Sequence, residues 1–283
     1  MRVLVTGAAG QLGREVVDAA QEWGHSVVAC DRSALDVTDR DGVLATVGDV
    51  RPDAIVHAAA ATDVDGCERG PDRAWRTNAL GTRHVAEAAR LTGARVCFVS
   101  TDYVFSGRPG APYTEWDEPE PLSVYGRSKL GGERELAPDR GDLVVRTSWL
   151  CGRHGRNFVK TVLDRARRGQ TLTVVDDQHG CPTFADDLAG MIWRLLVERR
   201  TGVFHVTNQG ATTWYQFARA IVVVAGLDER LVQPIVTAEL VPPRPAPRPA
   251  WSVLDNAALR LSGVPLLADH HEPLERLVKE LSR

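Results

Sequence analysis

A tyrosine and a lysine stand four residues apart in the segment Tyr125-Gly126-Arg127-Ser128-Lys129. On a helix, this spacing places both side chains on one face, one turn from each other. A nearby ammonium favours the phenolate, so it would lower the pKa of the tyrosine from its usual value of about 10. Such a phenol can exchange a proton with a substrate oxygen near neutral pH. The same spacing also occurs on ordinary solvated helices, so its meaning depends on the elements around it.

Composition excludes several classes of protein. The chain has 283 residues, of which 43% are hydrophobic and 25% charged, and its formal net charge is -3. These values are typical of a globular protein and do not favour a nucleic-acid or membrane partner. Five cysteines without a Cys-x-x-Cys pair argue against a disulfide framework and a structural zinc site. The chain starts directly in a strand-like run without an apolar leader, so we expect a cytoplasmic protein.

The amino terminus contains a strand, a glycine turn and a helix. Residues 2–6 are largely apolar and β-branched, and the glycines Gly7, Gly10 and Gly13 follow directly, with Gln11 and Leu12 between the last two. Backbone N–H groups at such a helix start bind the pyrophosphate of a dinucleotide, and the glycines let the backbone approach it. A purely structural turn is the alternative. The context favours a cofactor site.

The next segment predicts where the adenosine of the cofactor lies. Residues 26–30 form a second strand that ends in Asp31 and Arg32. An acidic residue there binds the ribose hydroxyls of NAD, whereas an arginine accepts the 2′-phosphate of NADP, so the choice between NADH and NADPH stays open. Asp36 and Val37 are expected to lie along the adenine.

Further strands are predicted at residues 54–61, 95–100 and 143–147, and helices alternate with them. This alternation predicts an α/β protein with a doubly wound parallel sheet. The third strand runs into Ala58, Ala59 and Ala60, whose small side chains would let a flat cofactor approach. The fourth strand leads into a polar cluster that starts at Ser100 and Thr101. Because ligands gather at the carboxyl ends of parallel strands, we expect this cluster to belong to a site.

Taken together, these motifs resemble the extended short-chain dehydrogenases/reductases. Thr6-Gly7, Gly10, Gly13, Asn78, Gly81-Thr82, Ser100-Thr101 and the Tyr125/Lys129 pair occur in that family's order. Within it, the chain resembles the dTDP-4-dehydrorhamnose reductase family. Seven blocks carry this second resemblance: Gly10-Gln11-Leu12-Gly13; His57-Ala58-Ala59-Ala60 with Val64-Asp65; Thr101-Asp102-Tyr103-Val104-Phe105; Arg146-Thr147-Ser148-Trp149; Gly155-Arg156-Asn157-Phe158; Asp177-Gln178-His179-Gly180-Cys181-Pro182-Thr183; and Arg248-Pro249 with Ser252, Leu254 and Asp255.

The resemblance implies a Rossmann-like fold and a reductase. In that family Tyr125 would protonate the C4 carbonyl oxygen of dTDP-4-dehydro-L-rhamnose, Thr101 would bind the same oxygen, and Lys129 would lower the pKa of the tyrosine and bind the nicotinamide ribose. NADPH or NADH would supply the hydride, and Asn78 would belong to the cofactor site. The product would be dTDP-L-rhamnose. The implied substrate-binding residues are Val64, Asp65, Thr101, Asp102, Tyr103, Trp149, Asn157 and Arg248.

The resemblance also implies a division of the chain. We expect a nucleotide-binding domain at residues 1–150 and a smaller, discontinuous substrate-binding part at residues 151–283. Segments within residues 172–206 would return to the nucleotide-binding sheet. Some family members dimerise through Mg²⁺, and Glu15 and Asp186 are the weak counterparts here. A monomer or a homodimer is expected.

Two departures from the family pattern leave the identity of the sugar substrate open. Ala61 stands where a tyrosine is common, and Leu150-Cys151-Gly152 replaces the usual Val-Tyr-Gly. One alternative is a ketoreductase for another dTDP-4-keto-6-deoxysugar, of the antibiotic or dihydrostreptose type. A second alternative is a non-catalytic regulatory subunit, as in the β-subunit of methionine adenosyltransferase. The presence of Thr101, Tyr125 and Lys129 argues against this second alternative.

Overall fold

A six-stranded parallel sheet forms the centre of the computed structural model, which describes residues 1–108 and 110–282. The strands are β1 Arg2–Thr6, β2 Ser26–Cys30, β3 Ala54–His57, β4 Arg95–Thr101, β5 Leu143–Thr147, β6 Leu150–Cys151, β7 Leu172–Val175, β8 His179–Gly180, β9 Thr183–Phe184, β10 Gly202–His205, β11 Thr212–Thr213 and β12 Val232–Ile235. The central sheet has the order β10-β5-β4-β3-β1-β2, and every neighbouring pair is parallel. The predicted doubly wound parallel sheet is confirmed.

Helices cover both faces of this sheet. They are α1 Gln11–Ala19, α2 Arg40–Val50, α3 Val64–Arg69, α4 Pro71–Trp75, α5 Gly81–Thr92, α6 Val124–Glu133, α7 Phe158–Arg167, α8 Ala185–Val197, α9 Trp214–Val224, α10 Ala257–Leu261 and α11 His271–Glu280. Helices α1 and α8 pack together on one face, and α2 and α5 pack together on the other. Trp193 is fully buried between α8 and α1, where its indole Nε1 donates to the Val16 carbonyl at 2.9 Å. None of the helices in the described ranges is long and apolar enough to cross a membrane.

A second hydrophobic core lies in the smaller part of the molecule. Helices α7, α9 and α11 pack around the short parallel pair β7 and β12, and Phe217 and Leu274 are fully buried among them. Residues 172–206 therefore divide between the two cores. Helix α8 and strand β10 join the central layers as expected, whereas Leu172–Val175 pairs with Val232–Ile235 and not with the central sheet. The break near residue 150 stays a prediction.

The strand order creates a crevice at one sheet edge. Strand β1 pairs with β2 on one side and with β3 on the other. The connections that follow β1 and β3 therefore run toward opposite sides of the sheet. Ligands of open parallel sheets bind at such a switch point, outside the carboxyl ends of the strands. Thr6, His57, Thr101 and Thr147 end the four central strands at this edge.

Candidate active site

A cavity of about 530 Å³ opens at this edge of the sheet. It brings together residues from the glycine turn, the ends of β3, β4 and β5, and helix α6. Its lining includes Gly7, Gly10, Gln11, Leu12, Gly13, Ala58, Ala60, Val64, Thr101, Asp102, Tyr103, Tyr125, Lys129, Trp149, Arg156 and Trp214. Most of the predicted site residues therefore share one cavity, although they come from segments far apart in the chain.

The glycine turn has the form that a pyrophosphate requires. Gly7 has a φ of 66°, and a Cβ added to it would lie 2.7 Å from the Ala59 backbone nitrogen. A Cβ on Gly13 would lie 2.2 Å from the Gly7 carbonyl oxygen, so the turn closes only with glycine. Helix α1 begins at Gly10 without a side-chain cap or an acidic residue in its first turn. The first N–H groups of α1 are therefore available to an anion such as the pyrophosphate of a dinucleotide cofactor.

Helix α6 positions the tyrosine and the lysine. It begins where the Ser123 side chain accepts a hydrogen bond from the Gly126 N–H. Gly126 permits close approach to the end of β4, because a Cβ there would lie 2.1 Å from the Tyr103 carbonyl oxygen. This contact sets the Tyr125 ring edge-on against the Tyr103 ring, with 5.9 Å between the centroids. Tyr125 and Thr101 consequently line the same cavity.

The pKa of Tyr125 shifts in the direction opposite to our expectation. Burial raises the pKa of the Tyr125 phenol above its usual value, although the Thr101 hydroxyl partly opposes this effect. Lys129 does not offset burial, because its Nζ donates to the Val99 carbonyl at 2.6 Å and lies 3.9 Å from the centre of the Phe98 ring. Burial lowers the pKa of Lys129 to about 7, and Glu133 opposes this shift. The predicted lowering of the tyrosine pKa was therefore wrong for this structure.

Asp102 follows Thr101 in the chain, and the two side chains are hydrogen-bonded to each other. The Thr101 hydroxyl donates to Asp102 Oδ1 at 3.0 Å and accepts from the Tyr103 N–H at 3.2 Å. The other carboxyl oxygen, Oδ2, is buried without a hydrogen-bond partner in the part of the chain that the structure describes. Burial raises the pKa of Asp102 to about 7. Asp102 is thus placed to accept a hydrogen bond from Thr101 when ionised and to donate one when protonated, a role that the sequence did not suggest.

Asn78, which was predicted to belong to the cofactor site, uses its side-chain hydrogen bonds on protein groups. Its side chain is completely buried and forms two hydrogen bonds with the Ala61 backbone, at 2.8 and 3.1 Å. It also donates to Ser128 Oγ at 2.9 Å, and Ser128 belongs to α6. Asn78 therefore ties the loop after β3 to the helix that carries Tyr125 and Lys129. We assign it a positioning role.

The predicted adenosine residues lie at the end of β2 and not in the main cavity. Asp31 Oδ1 accepts three hydrogen bonds from Ser33 and Ala34, and these bonds lower its pKa. Asp36 Oδ1 likewise accepts from Thr38, and Val37 is buried. Both carboxylates therefore shape the turn that follows β2.

Arg32 is exposed at this turn and lines a separate cavity of about 610 Å³. Arg73 and Arg76 line the same cavity from the segment around α4. Three guanidinium groups at the end of β2 suit a phosphate group. Sequence reasoning missed Arg73 and Arg76, because only the fold brings their segment to this place.

A further cavity of about 410 Å³ adjoins the main one and shares Val64, Tyr103 and Trp214 with it. Three arginines line it: Arg165, Arg244 and Arg248. The remaining lining is largely apolar. A flat ring with an attached anionic group would match this combination of surfaces. Sequence reasoning missed Arg165 and Trp214, because each comes from a different segment without a local motif.

Two tryptophans stand where the two cavities meet. The Trp149 and Trp214 rings stack with their centroids 3.6 Å apart and their planes 10° apart. Trp149 has a φ of 47°, an unusual backbone conformation for a large residue. Gly180 makes room for its ring, since a Cβ there would lie 2.5 Å from the indole. Trp149, one of the implied substrate-binding residues, lines the main cavity.

Two predicted substrate residues are occupied by protein contacts. The Asn157 side chain accepts from the Lys160 N–H and donates to Gln11 Oε1 and to the Gly152 carbonyl, so it caps α7 and braces the glycine turn. The Asp65 carboxylate binds the Arg248 guanidinium through two hydrogen bonds of 2.9 Å. Neither residue lines either cavity. Direct substrate contact by Asn157 and Asp65 stays a prediction.

The two carboxylates considered for Mg²⁺ are held by arginines. Glu15 is buried and accepts from Arg153 at 2.9 and 3.0 Å. Asp186 accepts from Arg276 at 2.8 and 3.1 Å. A bound guanidinium neutralises a carboxylate and occupies the oxygens that a cation would need. The geometry therefore gives no support to the expected metal site.

Comparison with known proteins places this architecture in a family. Residues 1–283 match the family model described as the RmlD substrate binding domain. A dTDP-4-dehydrorhamnose reductase of Streptomyces griseus is 42% identical over 93% of this chain and 88% of its own. A dTDP-4-keto-6-deoxy-D-glucose reductase of Streptomyces niveus is 41% identical, over 93% of this chain and 91% of its own.

A solved structure agrees with these sequence relatives. The crystal structure of dTDP-4-dehydrorhamnose reductase from Bacillus anthracis in complex with NADP is 37% identical to this chain. The two chains superimpose with a TM-score of 0.93, and 99% of each is covered. The chain belongs to the dTDP-4-dehydrorhamnose reductase family.

Proposed function

We propose that the protein reduces the C4 ketone of dTDP-4-dehydro-L-rhamnose to give dTDP-L-rhamnose, the last step in making that nucleotide sugar. One observation carries this proposal: Thr101, Tyr125 and Lys129 share a cavity with a glycine turn, and this cavity adjoins a second one lined by three arginines. The first arrangement suits reduction of a carbonyl beside a dinucleotide. The second suits the thymidine diphosphate of the substrate. We expect the enzyme to work in the cytoplasm.

In the proposed mechanism, two hydroxyl groups act on the ketone oxygen. The bound nicotinamide supplies the hydride. Tyr125 donates its phenolic proton to the C4 oxygen as negative charge develops there, and Thr101 donates a second hydrogen bond to the same atom. Lys129, whose ammonium is directed at the Val99 carbonyl and not at the Tyr125 phenol, would hold the nicotinamide ribose. Thr101 and Tyr125 line one cavity, so a single oxygen can reach both.

Asp102 controls which way the Thr101 proton points. The protonated Asp102 carboxyl donates to Thr101 Oγ1, which leaves the Thr101 proton free for the ketone oxygen. The ionised carboxylate accepts that proton instead, as the 3.0 Å hydrogen bond indicates. Reduction therefore requires Asp102 in its protonated form in this account.

The pH dependence of turnover follows from Asp102 and Lys129. Both have a pKa of about 7 because both are buried. Above pH 7 the ionised Asp102 accepts the Thr101 proton and raises the pKa of the Tyr125 phenol further, and the neutral Lys129 would hold the cofactor less well. We expect kcat/KM for reduction to fall as the pH rises through 7, by about tenfold per unit. The measurement is the pH profile of kcat/KM from pH 5.5 to about 9.

The Asp102→Asn variant separates the contribution of Asp102 to this pH profile from that of Lys129. Asp102→Asn can still hydrogen-bond Thr101 but does not titrate, so its decline above pH 7 should be shallower than that of the wild type. A wild-type profile that is flat across pH 7 would contradict the roles assigned to both groups.

The cofactor we propose is NADPH. The related Bacillus anthracis structure contains NADP. In this chain Arg32, Arg73 and Arg76 line a cavity at the end of β2, where a 2′-phosphate lies in such folds. We expect Arg32→Ala to raise the KM of NADPH roughly tenfold, the scale of one charge-assisted hydrogen bond, and to leave the KM of NADH within about twofold. An equal change for both cofactors would show that Arg32 does not bind the 2′-phosphate.

A second substrate has specific support. The Streptomyces niveus relative is named for a dTDP-4-keto-6-deoxy-D-glucose and is nearly as similar to this chain as the reductase from Streptomyces griseus. The chain also has Ala61 and Leu150-Cys151-Gly152 in place of the usual pocket residues. A panel of dTDP-4-keto-6-deoxysugars, compared by kcat/KM with NADPH, separates these two substrates. A higher kcat/KM for the D-gluco ketone would replace dTDP-4-dehydro-L-rhamnose in our proposal and leave the chemistry unchanged.

A further inference from the structure

Asp65 holds the proline-rich segment, residues 242–249, against helix α3. Arg248 Nη1 donates to Asp65 Oδ1 and Arg248 Nη2 donates to Oδ2, both at 2.9 Å. The Ala246 N–H also donates to Asp65 Oδ1, at 3.2 Å. Asp65 and Arg248 are 183 positions apart in the chain. One carboxylate in the first turn of α3 therefore fixes both the backbone of the segment and its arginine.

The remaining donors of Arg248 lie along one edge of its guanidinium. An arginine has five N–H donors in a plane. Two bind Asp65, and a third, on Nη1, donates to the Ala246 carbonyl at 2.8 Å. The two that remain belong to Nε and Nη2, and they point in the same direction. In residues 1–108 and 110–282 neither has a protein acceptor.

This free edge belongs to a side chain that is only 10% exposed and that lines the second cavity. Two parallel N–H groups on a guanidinium edge match two oxygens of a phosphate group. A carboxylate in direct contact with a diphosphate would repel it, whereas a carboxylate bound to an arginine has its charge balanced. Arg244 approaches the same carboxylate to within 3.9 Å and adds to that balance.

We propose that Asp65 is a positioning residue. It accepts hydrogen bonds from one edge of the Arg248 guanidinium and thereby orients the other edge to bind the diphosphate of the nucleotide substrate. This inference rests on the proposed function and deepens it. Asp65 acts through Arg248 and does not touch the substrate. The contact also holds the proline-rich segment, which contributes Arg244 and Arg248 to the lining of the second cavity, so substrate affinity would depend on a residue of α3.

The test compares Asp65→Asn with the wild type. The amide cannot accept at both positions, so Arg248 loses its fixed orientation. We expect the KM for dTDP-4-dehydro-L-rhamnose to rise by about tenfold to a hundredfold, the scale of a lost charge-assisted contact. The kcat at saturating substrate and the KM for NADPH should change by less than about twofold, because the catalytic cavity keeps its residues.

A ligand series separates positioning from general damage to the fold. Inhibition by dTDP should weaken in Asp65→Asn by the same factor as substrate binding, whereas inhibition by thymidine should be unchanged. Asp164→Asn is the matched control: it removes the same charge from an exposed ion pair with Arg168, on the helix that borders the second cavity. The control should bind dTDP as the wild type does. Equal weakening of dTDP and thymidine would overturn the proposal.

A double-mutant cycle links Asp65 to Arg248. We expect Arg248→Ala to weaken dTDP binding at least as much as Asp65→Asn, and the double variant to be no weaker than Arg248→Ala alone. Additive losses would overturn the proposal, and so would tighter dTDP binding by Asp65→Asn, which would mean that Asp65 competes with the diphosphate. Calorimetric dTDP binding tests the inference without turnover. A wild type that binds dTDP but reduces no keto sugar would therefore overturn the proposed function alone.

Discussion

Tyr125→Phe should lower kcat by about 10²–10⁴-fold, the usual range for loss of a general acid. The substitution removes the phenolic proton and keeps the ring, whose edge packs against Tyr103. The cofactor therefore should bind nearly as well as it does to the wild type. Steady-state kinetics with the keto sugar give kcat, and a fluorescence titration with NADPH gives the dissociation constant.

Tyr215→Phe is the control for this substitution. Tyr215 lies on α9, outside the lining of the catalytic cavity, and loses the same hydroxyl group. It should retain wild-type turnover. A Tyr125→Phe enzyme that is equally active would remove Tyr125 from the mechanism.

Lys129→Met should impair both turnover and cofactor binding. Methionine has a similar length, so it fills the buried space that the lysine occupies, but it carries no charge and cannot donate to Val99. We expect kcat to fall about a hundredfold, because the nicotinamide ribose loses the contact that fixes its position, and the dissociation constant of NADPH to rise about tenfold. Stopped-flow turnover and equilibrium binding measure the two effects separately.

Lys279→Met makes the same exchange on the exposed face of α11. It should leave both quantities unchanged. If Lys129→Met altered neither turnover nor cofactor affinity, the lysine would have a structural role only.

Local sequence predicted the central sheet well. The glycine turn after β1 and the alternation of strands and helices depend on short-range spacing, which a single sequence displays directly. The Tyr125/Lys129 spacing likewise predicted a shared helix and a shared cavity. The exception is Leu172–Val175, whose composition shows a strand but cannot show that its partner is β12.

Features that depend on packing were predicted poorly. The direction of the Tyr125 pKa shift depends on how deeply the phenol is buried and on where the Lys129 ammonium points, and neither follows from a four-residue spacing. Asn78 and Asn157 were assigned to ligand binding because the resemblance to the family implied it. In the fold, protein groups use their hydrogen bonds instead.

The lining of the second cavity was also predicted poorly, because its residues come from distant segments. Arg165, Arg244 and Trp214 reach it from three segments that lie far apart in the chain. The role of Asp65 depends on Arg248, which lies 183 residues away. Long-range contacts of this kind carry no local signature, so a sequence motif can identify each residue without revealing its partner.

The most direct test of the proposed function is the oxidation of NADPH by the wild-type protein with dTDP-4-dehydro-L-rhamnose, followed by the absorbance of the reduced nicotinamide. We predict oxidation in proportion to the keto sugar added and formation of dTDP-L-rhamnose, identified by chromatography against the authentic compound. If the protein binds NADPH and dTDP but oxidises no cofactor with this ketone or with its dTDP-4-keto-6-deoxy relatives, the protein is not a reductase of these sugars and the central claim is wrong.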